Sequence, residues 1–79
     1  MKKHESLVKL GQRVRKFRER NKISQEELAH RADLDRTYVG GVERGERNLG
    51  ALNLLRLAAA LNTTASALLS GVSLGKERK

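Results

Sequence analysis

The sequence predicts an all-α fold of five helices, a bundle built around a helix-turn-helix, and three observations predict it. Two helix-start signals follow one another inside the stretch Ser24 to Arg44, SQEELAHRADLDRTYVGGVER. Apolar residues recur at helical spacing on both sides of that stretch. No segment shows the alternation or the bounded apolar run of a credible strand.

The elements follow in order. Leu7, Leu10, Val14 and Phe17 recur at steps of three, four and three, which makes residues 6–21 an amphipathic helix with its apolar stripe inward and its basic residues over the remaining surface. Ser24 with Glu27 forms a capping box, and Ile23 and Leu28 sit where a hydrophobic staple closes a helix start. The second helix therefore begins at Gln25 and runs to about Ala32, offering Leu28, Ala29 and Ala32 to the core. Asp35 is a good N-cap, and Leu34 and Val39 repeat the staple around it. The third helix runs from Arg36 to about Arg44, turns Val39 and Val42 inward, and stops at Gly45.

Only Ala32, Asp33 and Leu34 lie between the second and third helices. That is the short turn of a DNA-binding helix pair, with Asp33 where such turns prefer Gly; Asp tolerates the left-handed conformation at some cost. A fourth helix follows the loop Glu46 to Gly50 and carries Leu54, Leu57, Ala58 and Leu61. The fifth is capped by Thr64 and carries Leu68 and Leu69 before Gly71 ends it. Residues 1–72 form one domain, and residues 73–79 are expected to be a basic, frayed tail.

Helix four has more apolar surface than one small core uses, because Leu52, Leu55 and Ala59 lie partly off its stripe. The reading favoured here is a two-fold interface made by Leu52, Leu55, Ala59, Leu68 and Leu69, so a homodimer. The alternative is a wide core stripe covered by helix five.

Composition points to a polyanionic partner. The 79 residues carry a net charge of +8 with a pI near 10.7, and Lys9, Arg13, Arg15, Lys16, Arg18, Arg20 and Lys22 fall in one run opposed only by Glu19. Beside a helix-turn-helix, such a run is read as phosphate contact rather than as a merely solvated face. Cysteine is absent, which excludes disulfides and thiolate metal sites. The start MKKHES has no signal-peptide core, and no apolar stretch approaches the ~20 residues of a membrane span. The expected setting is the cytoplasm.

His4, placed in a frayed terminus, and His30, on the polar side of helix two, have no metal-ligand or catalytic company. Neither an enzyme nor a metal or other cofactor is expected. A membrane-surface helix fits poorly too, since the apolar stripe of helix one is needed in the core.

The span from about Leu10 to Leu69 resembles the Cro/C1-type, or xenobiotic-response-element-type, helix-turn-helix domains of lambdoid phage repressors. The resemblance rests on Arg18, on Ser24-Gln25-Glu26-Glu27-Leu28-Ala29 and on Val42-Glu43-Arg44-Gly45. Within that superfamily, Leu34-Asp35-Arg36-Thr37-Tyr38-Val39 running to Glu43-Arg44-Gly45-Glu46-Arg47-Asn48 looks most like the controller proteins of restriction-modification systems, which are small dimeric transcriptional regulators. An antitoxin or a phage-type repressor of the same fold, acting partly through protein binding, is the alternative. The chain departs from the pattern at Leu49-Gly50, which leaves helix four without a side-chain cap, and at Ala67, where Glu is usual.

Residue roles follow. A recognition helix turns its first residues to base edges, which nominates Arg36 and Thr37, with Gly40 and Gly41 one turn further along the same face, expected to leave that turn bare and read either as close backbone approach to the groove or as local tolerance of a weak helix. Arg36 suits guanine O6 and N7, with an ion pair to Asp33 or Asp35 as its alternative; Thr37 suits thymine or a phosphate. Gln25, at a helix N-terminus, is implied by the resemblance as a phosphate contact. Tyr38, Arg44, Arg47 and Asn48 resemble positions that touch sugar-phosphate or flanking bases, although Tyr38 could instead cover the core edge. Arg18 and Glu43 are implied as a partly buried ion pair orienting the third helix. The partners expected are double-stranded DNA and a second copy of the chain, with RNA polymerase a further candidate for a regulator acting at a promoter.

Overall fold

The computed structural model describes residues 4–74. Its helices are α1 (Glu5–Arg20), α2 (Gln25–Ala32), α3 (Arg36–Glu43), α4 (Ala51–Ala60) and α5 (Ala65–Leu69), with no strand among the described residues. The caps read from the sequence are made: Ser24 Oγ accepts from Glu27 N–H at 3.0 Å, Asp35 Oδ1 from Thr37 N–H at 2.8 Å and Thr64 Oγ1 from Ala67 N–H at 3.0 Å. The Glu27 carboxylate turns to Arg31, at 2.9 Å, on its own helix, so only the Ser24 half of the expected capping box forms. Gly50 starts α4 with no side-chain bond, in keeping with its missing hydroxyl.

Two expectations about the ends are corrected. His4 is not frayed: its Nδ1 accepts from the Ser6 N–H at 3.2 Å and caps α1. Ser73 is not free either, because its carbonyl accepts from the Ser6 hydroxyl and ties the end of the described chain to the first turn of α1. The rest of the expected tail, residues 75–79, lies outside the described residues.

α1, α2 and α4 are followed by residues in the left-handed region that are not glycine: Lys22, Asp33 and Asn62, each at φ 58°. At Asp33 the turn closes with Leu34 N–H on the Ala29 carbonyl at 2.8 Å, which satisfies the last carbonyls of α2 and leaves Leu34 pointing back to the core. The short turn thus forms with Asp in place of Gly.

One core joins all five elements. Val14, Leu28, Val39, Val42, Leu57, Leu61 and Leu68 are fully buried in it, with Phe17, Ile23, Leu34, Tyr38 and Leu54 at its margin. Leu68, expected at a dimer interface, is corrected by this placement: at 0% exposure it belongs to the protomer's own core and reaches no second chain. The single turn of α5 that follows its cap can bury one of its two leucines, and that one is Leu68.

The close contact of α1 with α3 rests on Gly11, a position the apolar periodicity passes over. A Cβ there would lie 2.3 Å from the Val42 carbonyl oxygen and 2.7 Å from that of Glu43, so only glycine lets the backbones meet. Gly45, at φ 79°, abuts Val8 on the same side. Gly11→Ala is expected to cost about 1 to 3 kcal/mol, because the obstructing atoms are backbone; urea denaturation measures it.

Candidate nucleic-acid interface

The first turn of α3 stands in solvent. Arg36 and Thr37 are exposed, and Arg36 has no ion-pair partner among the described residues, neither Asp33 nor Asp35. The alternative role considered for Arg36 therefore falls, and its five N–H donors remain available.

The second turn is not bare. Gly40 and Gly41 are both buried, covered by arginines that return from beyond the helix. A Cβ on Gly40 would lie 3.1 Å from Arg44 Nη1 and 3.5 Å from Gln25 Oε1; one on Gly41 would lie 2.9 Å from Arg47 Cγ. The glycines are thus a bed on which two longer cations lie, and the helix surface they open is refilled. Arg47 also stands over the Tyr38 ring, 5.7 Å from its centroid, and Arg44 meets Glu46 at 3.0 Å. Tyr38 covers the core edge, as one of its two readings has it: it packs half-buried against the core, and its hydroxyl accepts from Asn53 Nδ2 at 3.2 Å. Asn48 is exposed on the loop after α3.

Behind this face lies a buried ionic centre. Arg18 Nε and Nη2 donate to the two Glu43 oxygens at 2.7 and 3.1 Å, and Nη1 donates to the Ile23 carbonyl at 2.9 Å. Gln25 Nε2 donates to Glu43 Oε1 at 3.0 Å. The side chains are 14% and 3% exposed for Arg18 and Glu43. The hydrogen bond with Glu43 raises the Arg18 pKa above its ordinary value despite burial, which opposes it. α1, the start of α2 and the end of α3 are thereby held in one geometry. Gln25 serves the same centre: its N–H group holds Glu43 while its oxygen lies beside Gly40.

The basic residues of α1 are divided among different partners. Arg18 is half-buried against Glu43, Arg15 pairs with Glu19 at 3.1 Å, and Arg13 donates to the Ala67 and Leu68 carbonyls of α5. Arg13 and Arg20 both lie over the Phe17 ring, at 5.2 and 5.1 Å. Leu52 and Leu55 on α4 and Leu69 on α5 are 60%, 56% and 40% exposed, and Ala59, one turn beyond Leu55, is exposed as well. No helix is long and apolar enough to cross a membrane among the described residues.

A helix-turn-helix family model matches residues 14–68, which includes every residue of the α3 face and its ionic centre. The control protein C.SmaI of Serratia marcescens is 46% identical over 69 residues, covering 87% of this chain and 82% of its own length. The crystal structure of the restriction-modification controller protein C.AhdI of Aeromonas hydrophila is 53% identical, with a TM-score of 0.77 over 78% of this chain and 94% of that one. The chain belongs to the restriction-modification controller proteins of the helix-turn-helix family. Members of this family are DNA-binding transcription regulators. A further controller, C.Esp1396I, 31% identical with a TM-score of 0.77 over 86% of this chain and 90% of that one, has been seen as a tetramer in complex with its natural 35 base-pair operator.

Removing Arg18 leaves the Glu43 carboxylate buried with only Gln25 to meet it. Arg18→Ala is expected to cost about 3 kcal/mol, whereas the paired change Arg18→Met with Glu43→Leu recovers most of that loss. Chemical denaturation of the three proteins checks the pattern.

Proposed function

We propose that this chain is a controller that binds a specific operator as a homodimer and regulates transcription from it. The observation that carries the reading is the exposed, unpaired Arg36 at the start of α3, with Thr37 beside it and the cations Arg44 and Arg47 reaching back along the helix from beyond its end.

In this reading α3 enters the major groove. Arg36 donates two hydrogen bonds to guanine O6 and N7, and Thr37 meets a thymine methyl or a phosphate. Gln25 and the free N–H groups at the start of α2 receive a backbone phosphate, while Tyr38, Arg44, Arg47 and Asn48 hold sugar-phosphate or flanking bases. In the free protein Arg44 and Arg47 lie along the glycine pair, so DNA meets them already placed beside the helix. The exposed leucines Leu52, Leu55 and Leu69, with Ala59, join two protomers across a two-fold axis. Two recognition helices then stand about 34 Å apart, and the operator is a near-palindrome with half-sites one turn apart. The setting is the cytoplasm, where the bound dimer would meet RNA polymerase at the promoter. Catalysis and cofactors have no part in it.

Operator binding separates the residue roles. Arg36→Ala is expected to cost about 1 to 3 kcal/mol on the cognate site and much less on random DNA, because a bidentate guanine contact distinguishes bases. Arg47→Ala should weaken both alike and lower the salt slope by roughly one unit. A panel of single-base operator variants decides between these patterns; equal loss across all sequences in Arg36→Ala would make Arg36 a backbone contact.

Assembly is tested apart from DNA. Leu55→Asp places a charge in the apolar patch and should turn a dimer at micromolar concentration into a monomer by sedimentation, with the thermal midpoint of the protomer nearly unchanged. A wild-type monomer that also binds DNA as a single copy would remove the two-fold interface from the reading.

A further inference from the structure

The two flanks of α1 face different elements. Gly11 and Arg18 meet α3 through Val42 and Glu43, whereas Arg13 meets α5 through the Ala67 and Leu68 carbonyls. Lys9, Lys16 and Arg20 share Arg13's side of the helix, at steps of four, three and four, and so form a stripe turned away from α3. Over those residues the helix rises about 16 Å.

Beside the stripe lies a groove of about 290 Å³, lined by Lys9, Gln12, Arg13 and Lys16 on one wall and by Ser70 to Val72 on the other. No carboxylate lines it. Lys9, Lys16 and Arg20 have no ion-pair partner among the described residues. Arg13 closes the last turn of α5 and holds this wall in place, because that helix has no basic residue of its own near its C-terminus.

The geometry points to a second nucleic-acid contact: the helix-one stripe receives the phosphate backbone of a duplex other than the one held by α3. That flank of α1 is turned away from α3, against which Gly11 and Arg18 pack, so a duplex held by α3 does not run along the stripe and the two surfaces serve different duplexes. An acidic protein is the poorer fit. Protein interfaces have an apolar centre and are depleted in Lys, whereas this groove offers ammonium groups, an amide and a hydroxyl, the donors that backbone phosphates accept. Contact of this kind is independent of sequence and strongly dependent on salt.

The word second rests on the proposed α3 reading, and the test separates the two. A random-sequence duplex of about 10 base pairs, one helical turn, is titrated into the protein at low salt and the number bound per protomer is counted. The wild type should bind two. Lys9→Gln with Lys16→Gln should bind one, and the single substitution Lys16→Gln should keep both with a salt slope at this site smaller by about 0.9. Arg44→Ala with Arg47→Ala, which removes the backbone cations proposed beside α3, should lose the other duplex and keep this one. The inference is overturned if the lysine variant binds as many duplexes as the wild type, or if the wild type binds one and loses it in the arginine variant. It is overturned equally if hexaglutamate at matched charge, or inorganic phosphate at matched ionic strength, displaces the duplex from the helix-one site. If instead only the lysine variant loses a duplex, the helix-one site stands and the α3 reading fails.

Discussion

The junction of α1 with the end of α3 governs the rest of this molecule. The helix proposed to read DNA has to be held at a fixed angle, and α3 is only eight residues long with two glycines in it, so its own backbone cannot supply that rigidity. The support comes from outside. Arg18 grips Glu43 with two hydrogen bonds and Ile23 with a third, Gln25 holds the same carboxylate, and Gly11 lets the backbone of α1 reach the carbonyls of Val42 and Glu43. A buried ion pair contributes little net stability against a well-packed apolar one. Its value here is directional: three chain segments converge on one carboxylate, and each fork of the guanidinium is occupied.

The same junction explains how a weak helix presents a crowded surface. Gly40 and Gly41 lower the helical propensity of α3, yet they let Arg44 and Arg47 fold back along it, with Arg47 also against Tyr38. Side chains attached beyond the helix end thus occupy space that residues on the helix would otherwise fill. Ordering a long cation before binding reduces the entropy lost when the complex forms, and here the glycine bed supplies part of that order.

The sequence was most legible where a local hydrogen bond decides the structure. Ser24, Asp35 and Thr64 cap the helices they were read to cap, and the absent side chain at Gly50 leaves α4 uncapped. The core leucines and valines were legible through periodicity, as was the exposed patch of Leu52 and Leu55. What escaped was tertiary. Gly11 carries no local signal, because its role depends on the backbone of Val42 and Glu43, two helices further along the chain. Arg13 and Arg18 look like their neighbours in a basic run, and only the packing of α5 and α3 separates them from it. Leu68 and Leu69 are adjacent, so the sequence offers both to an interface while the helix turn can expose only one. His4 caps a helix from a segment that its polarity marked as frayed.

The left-handed turn residues carry a different consequence. Lys22, Asp33 and Asn62 each hold a conformation that costs an L-residue about 1 kcal/mol or more, against a total stability on the order of 5 to 15 kcal/mol for a small domain. These positions lie at turns between helices and outside the first turn of α3. Selection acting on them alters how much folded protein the cell maintains, and through mass action how much of it pairs, without rewriting which bases are read. For a regulator whose output depends on its own abundance, dosage and specificity are then encoded in separate residues and can drift independently.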